Sequence, residues 1–269
     1  MSVLPTPSAS ISLQDRLSEL AGKYAVAVPA GCRLSTAWMP EDAGSRMLPG
    51  WAICDQPEPP DRLRPLLPWR EERRFVELRQ IIRQRTIEDV CLWRSRWLVP
   101  DGTLTLPQAI YREAGICQWV LGSPATSVMA FLQGDRAATV ILRLANGTAC
   151  GLEIGRVPAS AIASVDRHEA IARRGVASDQ VVDSEVRPSS VYVFTDAATT
   201  TYTDVDHELP GLDEGQTALV RAALAALKNP DHLRADRVEH KQLARLTERA
   251  IESDRLQRRL DVAFDGGAV

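Results

Sequence analysis

The sequence predicts an α+β fold: an open, mainly antiparallel sheet with helices on one face, preceded by a short helix–strand remnant of an α/β domain. Two observations carry this. Apolar residues recur at helical spacing up to residue 121, then alternate with period two over 125–205, and helical spacing returns near the C-terminus. Asn146-Gly147, between two alternating runs, is a strong hairpin signal. Helices set apart from a run of hairpin-linked strands define the α+β layer arrangement.

Taken in order, Ser12 to Lys23 reads as a helix with Ser12 as N-cap, Leu13, Leu17 and Leu20 on one face, and Gly22 as its stop. Tyr24–Val28 follows as a short buried strand ended by Pro29 and Gly31. From Met39 to Trp69 the chain is rich in Pro and Gly and reads as a loop or linker. Glu71 to Gln84 carries Phe75, Leu78, Ile81 and Ile82 at helical spacing. Asp89–Val99 then alternates as a strand, with Cys91, Trp93, Ser95, Trp97 and Val99 on one face and Arg94 and Arg96 on the other. A third helix spans Leu106 to Leu121 and ends at Gly122. Strands are expected at Ser127–Leu132, Ala137–Leu144, Thr148–Gly155, Val176–Asp183, Ser190–Thr195 and Thr200–Val205, and helices at Glu214–Lys228 and Ala235–Leu260. The implied organisation is 1–38, a helix–strand remnant; 39–70, a Pro-rich loop or linker; and 71–269, the open-sheet domain.

Composition narrows the function. The 269 residues are 45% hydrophobic and 25% charged, with a net charge of −3, which argues against a nucleic-acid or anionic-membrane partner held by bulk electrostatics. No apolar run is long enough for a membrane span, and the N-terminus lacks the basic and apolar regions of a signal peptide. Five scattered cysteines, Cys32, Cys54, Cys91, Cys117 and Cys150, form no C-x-x-C pair; a zinc ribbon is not expected, and a reducing cytoplasm fits best. Cys91, Cys117 and Cys150 lie in apolar stretches and are expected to act as small hydrophobes.

Several fragments, in their order, resemble the Gfo/Idh/MocA oxidoreductases. Leu13–Leu20 with Tyr24–Val28 resembles the last helix–strand unit of that family's Rossmann half. Arg74-Phe-Val-Glu-Leu-Arg-Gln-Ile-Ile82 followed by Ile87–Val90 resembles the entry to its sheet domain. Trp119-Val-Leu-Gly122 with Val128-Met-Ala130 resembles its W-L-x-G…V-x-A step, and Leu144–Leu152 its strand–NG–strand hairpin. The resemblance covers roughly the last three-quarters of the chain, and implies an open-sheet domain that holds a sugar-like substrate and often mediates oligomers.

The chemistry that the resemblance implies is missing from this sequence. There is no G-x-G-x-x-G to seat a pyrophosphate, and too little chain precedes Glu71 for a full set of βαβ units. The family's E-K-P motif would lie just before Ser12, where Thr6-Pro-Ser-Ala-Ser-Ile stands. Its D-x-G-x-H-x-x-D positions fall on Gln108, Ile110, Arg112 and Gly115, so Arg112 takes the place of the histidine and Gly115 that of the second aspartate. Arginine holds its proton at neutral pH and cannot act as the general base. The expectation is that the chain alone catalyses no hydride transfer, with no cofactor and no metal; the degenerate positions are Gln108, Arg112 and Gly115.

Ligand-binding candidates are Arg94, Arg96, Gln108 and Arg112, the arginines forming a face suited to a carboxylate or sugar phosphate. The competing reading, an exposed strand face paired with glutamates, is preferred. Trp93 and Trp97 read as core or subunit interface rather than as a sugar platform. Asp204-Val-Asp206-His207-Glu208 places adjacent groups on opposite sides of an extended segment and reads as a solvated connection rather than a metal site. His168, His232 and His240 lack partner spacing such as H-E-x-x-H and read as surface or cap residues, and no G-x-S-x-G is present. The resulting expectation is a non-catalytic ligand-binding or interaction module that self-associates through its sheet face or docks a separate chain. The alternatives are an oxidoreductase-like subunit acting on a sugar or cyclitol beside a nucleotide-binding chain, and a metabolite-sensing regulator.

Overall fold

The computed structural model describes residues 12–37, 44–100, 102–158, 165–179, 190–194, 199–203 and 208–262. Helix α1 (Leu13–Lys23) buries Leu17, Leu20 and Ala21 against a small parallel sheet of β1 (Cys32–Leu34), β2 (Ser45–Pro49) and β3 (Leu63–Leu66), in the order β1-β2-β3. Two sequence expectations are corrected here. No strand forms at Tyr24–Val28: the end of α1 unwinds through Ala25 at φ +54°, with the Val26 N–H bonded back to the Ala21 carbonyl, and the strand comes later, at Cys32. The Pro-rich stretch is no plain loop, because it supplies β2 and β3 and two short 3₁₀ turns, Gly50–Ile53 and Pro68–Arg70. Its prolines fall where a strand tolerates a missing N–H: Pro49 ends β2, and Pro65 lies on the edge strand β3.

Helix α2 (Arg73–Arg83), strand β4 (Val90–Pro100) and helix α3 (Leu106–Leu121) follow. Next come β5 (Ala125–Gln133), β6 (Ala137–Leu144), β7 (Ala149–Val157), β8 (Val165–Ala172), β9 (Gly175–Ser178), β10 (Ser190–Phe194) and β11 (Thr199–Thr203). The chain ends in α4 (Glu214–Lys228), α5 (Pro230–Leu256) and β12 (Leu260–Asp261). Among the described residues the large sheet has nine strands in the order β11-β10-β9-β8-β4-β7-β6-β5-β12. Strand β4 runs parallel to β7, and every other neighbouring pair is antiparallel. This is the open, mainly antiparallel α+β sheet that the sequence predicts.

Helices cover one face. Trp93, Val128, Val140, Leu142, Leu152 and Ala170 point under α3 and α5 and join Ile110, Ile116, Val120 and Leu243 in the main core. Helix α3 starts at a capping box, Thr105 with Gln108, and stops at Gly122 with φ +62°, the left-handed cap that favours glycine. Helix α4 turns back onto the small sheet, where Leu219, Val220 and Ala223 complete a second core with Leu17, Leu20, Met47 and Leu66. The described elements of the first 70 residues are therefore packed against the C-terminal helices rather than tethered to them.

Strand β4 departs from the expected alternation at one point. Its register slips between Val90 and Leu92, which throws Cys91 out to solvent instead of into the core. Strand β8 is missing from the sequence reading altogether. Of the Asp204–Glu208 segment, read from the sequence as a solvated connection, residues 204–207 lie outside the described residues, and Glu208 pairs with Lys23.

Candidate functional site

Between α2, α3 and the inner face of β8 lies a buried ionic cluster. Helix α2 brings Arg74, with Glu72 at its N-cap; α3 brings Arg112 and Glu113; β8 brings Asp166 and His168; and Asp179 follows β9. Asp166 and His168 stand two residues apart on one strand, so both side chains face the helices. Antiparallel pairing sets Ser95 opposite His168 and Trp97 opposite Asp166.

The contacts form a closed network. Arg74 reaches Glu72 at 2.9 Å, Asp166 at 2.5 Å and Asp179 at 3.2 Å. Arg112 reaches Glu113 at 2.5 Å, Asp166 at 3.2 Å and Glu72 at 3.7 Å, with its guanidinium 4.4 Å from the centroid of Trp97. The Nδ1 of His168 lies 2.6 Å from Asp179 Oδ2, and its Nε2 3.0 Å from Glu113 Oε2. Phe75 packs edge-on against the imidazole at 4.7 Å.

Burial and charge oppose each other here. Burial alone lowers the His168 pKa, but Asp179, Glu113 and Asp166 outweigh it and raise it to about 10. Burial works against the charge of Asp166 too, yet Arg112, Arg74 and His168 hold its carboxyl well below the usual carboxylate range. Glu113 is likewise held down, by His168 and Arg112 against its own burial. Both ring nitrogens of His168 therefore donate at neutral pH, Nδ1 to Asp179 and Nε2 to Glu113.

The sequence-derived candidates part company in this structure. Arg94 and Arg96 are exposed on the open face of the sheet, where Arg94 pairs with Glu153 at 3.5 Å, whereas Arg112 is buried on the helix-covered face. The sheet separates them, so no three-arginine face exists. Gln108 is spent on the helix cap: its Oε1 accepts the Thr105 N–H at 2.9 Å. Gly115 faces Trp69, whose Cζ2 would lie 2.3 Å from any added Cβ, so an indole fills the place where the resemblance puts a carboxylate.

The histidine expectation is also corrected. His168 and His240 are both fully buried, because each has partners that repay desolvation. His240 Nδ1 lies 2.8 Å from the Tyr111 hydroxyl and its Nε2 2.8 Å from the Gln56 carbonyl. Glu72, Arg74, Glu113, Asp166, His168 and Asp179 were absent from the candidates. The one available signal was Asp166-x-His168 in a stretch flanked by strands, two polar groups at strand spacing.

Neither a protein-family model nor a curated protein matches the sequence. Solved structures do match in fold, and these neighbours are Gfo/Idh/MocA-type oxidoreductases. A levoglucosan dehydrogenase, solved with NADH and L-sorbose, matches with a TM-score of 0.59 at 14% identity, over 73% of this chain and 65% of its own. The chain thus spans a little under two thirds of that enzyme's length. A myo-inositol 2-dehydrogenase from Lactobacillus plantarum matches with a TM-score of 0.56 at 10% identity, over 81% of this chain and 74% of its own. The transcriptional regulator Gal80p from Kluyveromyces lactis matches with a TM-score of 0.62 at 10% identity, over 94% of this chain and 75% of its own. At such identities the likeness is one of fold.

Proposed function

We propose that this chain is a binding module built on the Gfo/Idh/MocA oxidoreductase fold and that, by itself, it performs no dehydrogenase chemistry. One observation carries the reading. Arg112, which stands at the position of the family's histidine, is locked between Glu72, Glu113 and Asp166, and Trp69 covers Gly115 at the position of the second aspartate. A permanently charged, fully paired guanidinium neither accepts a proton nor swings to meet a substrate.

Self-association through the open sheet face is part of the proposal. Phe131 and Ile141, 43% and 47% exposed, stand with Met129 on the uncovered side, where β5 and β6 pair Met129 with Ile141. Among the described residues no helix is long and apolar enough to cross a membrane, and five free thiols suit a reducing compartment such as the cytoplasm.

A regulatory role is the second reading. It is favoured by the likeness to a transcriptional regulator that extends over 94% of this chain. Thermal unfolding in the presence of NAD(H), NADP(H) and a panel of sugars and sugar phosphates separates the readings. The binding-module reading expects no shift with any nicotinamide. A shift with a nicotinamide alone would overturn it, and a shift with sugars only would support the regulator.

A further inference from the structure

The ionic cluster has an inner geometry that its ion pairs account for only in part, since Asp166 Oδ1 has no hydrogen-bond partner among the described residues. Glu113, Asp166 and His168 each have one donor atom anchored from behind and a second left facing the other two residues. Glu113 Oε1 is held by Arg112 while Oε2 faces inward. Asp166 Oδ2 is held by Arg74 and Arg112, while Oδ1 has no hydrogen-bond partner among the described residues. His168 Nδ1 is held by Asp179 while Nε2 faces inward. The three inward atoms lie within 4.8 Å of one another, with Nε2 3.0 Å from Glu113 Oε2 and 3.6 Å from Asp166 Oδ1.

The two spacings from Nε2, 3.0 and 3.6 Å, are close to the edges of a metal coordination shell. Ligands bound at about 2.1 Å stand roughly 3.0 Å apart at right angles and roughly 3.4 Å apart in a tetrahedron. The anchoring matches as well, because a ligating imidazole characteristically donates its other N–H to a carboxylate, and ligating carboxylates are themselves hydrogen-bonded. Charge points the same way. Glu72, Glu113, Asp166 and Asp179 are four carboxylates against Arg74, Arg112 and one imidazole, so even with the ring charged one negative charge is left unmatched in the site. A second polar group is also left over: the Ser95 hydroxyl, fully buried and directly across from His168 on the same inner face, has no partner among the described residues.

We infer that Glu113, Asp166 and His168 bind a first-row divalent cation, with Asp179, Arg74 and Arg112 as its outer supports and the Ser95 hydroxyl placed to bond a metal-bound water. One nitrogen and two carboxylate oxygens suit Zn²⁺ or Mn²⁺, and three protein ligands leave a position open. This departs from the sequence expectation of no metal, and it stands independently of whether a nicotinamide binds.

The test uses the full chain, stripped with a chelator and titrated near pH 8 with Zn²⁺ and with Mn²⁺ by calorimetry. One ion per chain is expected, with affinity about tenfold or more weaker in Asp166→Asn and Glu113→Gln. No saturable binding by the folded wild type would overturn the inference. So would binding that survives unchanged in a folded Asp166→Asn protein, since the ion would then sit elsewhere. If both variants fail to fold, Co²⁺ added to the wild type decides: visible d–d bands typical of nitrogen and oxygen ligands support the site, and a spectrum identical to Co²⁺ in buffer overturns it.

Discussion

Arg112 shows how a residue chosen for one job can be held to another. Its charge is fully matched inside the protein, so shortening it strands Glu113 and Asp166 in a buried setting. Breaking a buried pair from one side costs about 3–5 kcal/mol, much more than an exposed pair returns. Arg112→Met is therefore expected to lower unfolding stability in denaturant by about that amount, and a loss too small to measure would show that the network is dispensable. His240 behaves in the opposite sense to His168. Burial, the largest influence, lowers its pKa, and the neutral ring donates from Nε2 to the Gln56 carbonyl while accepting from Tyr111. A histidine depressed in the folded state contributes stability that is present above its unfolded pKa, about 6.5, and is lost as the pH falls. The stability gap between wild type and His240→Gln should accordingly narrow between pH 7.5 and pH 5, values set around that unfolded pKa; a gap that widens on acidification would contradict the neutral-ring assignment.

At the level of elements, α3 joins the two halves of the molecule through Gly115. The Trp69 indole comes so close that an alanine methyl would meet Cζ2 at 2.3 Å, and Leu243 of α5 closes the other side. Overpacking of this kind costs about 1–3 kcal/mol, so Gly115→Ala should lower the melting temperature even though alanine favours helices; an unchanged or higher melting temperature would mean that Trp69 moves aside freely. The same helix was the most legible part of the sequence, because Leu106 to Leu121 carries both a periodic apolar face and a glycine stop. Strands β5, β6 and β7 were legible for the matching reason, their inward positions being Val128, Val140, Leu142 and Leu152. Strand β8 was not. Its inward positions begin Asp166, His168, Ala170, so the apolar alternation that marks a half-buried strand is absent. The cluster hid its own strand, and composition alone gives no sign that Arg74 from another helix would arrive to neutralise it. Strands β2 and β3 were masked differently, by prolines that the end of one strand and the edge of the sheet accommodate.

For the whole molecule, the two faces and two edges of the large sheet have different fates. Helices bury one face. At the β5 edge, β12 pairs with Ser127 and Val128, and beyond it the Ser253 hydroxyl and the Asp254 carboxylate accept the Ala130 and Leu132 N–H groups. That edge is thus closed against pairing with another chain, while the open face carries the exposed Phe131 and Ile141 on which the proposed self-association rests. The chain should sediment as a dimer at tens of micromolar, and Ile141→Glu should shift it towards monomer without unfolding it; a wild type that is monomeric throughout would remove the sheet-face interface. Strand β4 has a different consequence. It is made early, yet it lies in the middle of the sheet between β7 and β8, so that Trp93 must wait for Cys150 on one side and Ala170 on the other. The β5–β6–β7 meander closes through short hairpins, but β4 is captured only across long stretches of intervening chain, and such distant closures are slow. During synthesis, a chain that has emerged only as far as β6 holds β4 with both edges bare and Trp93 in water. Until the ribosome has released β8, the centre of this protein is the part most exposed to misassembly.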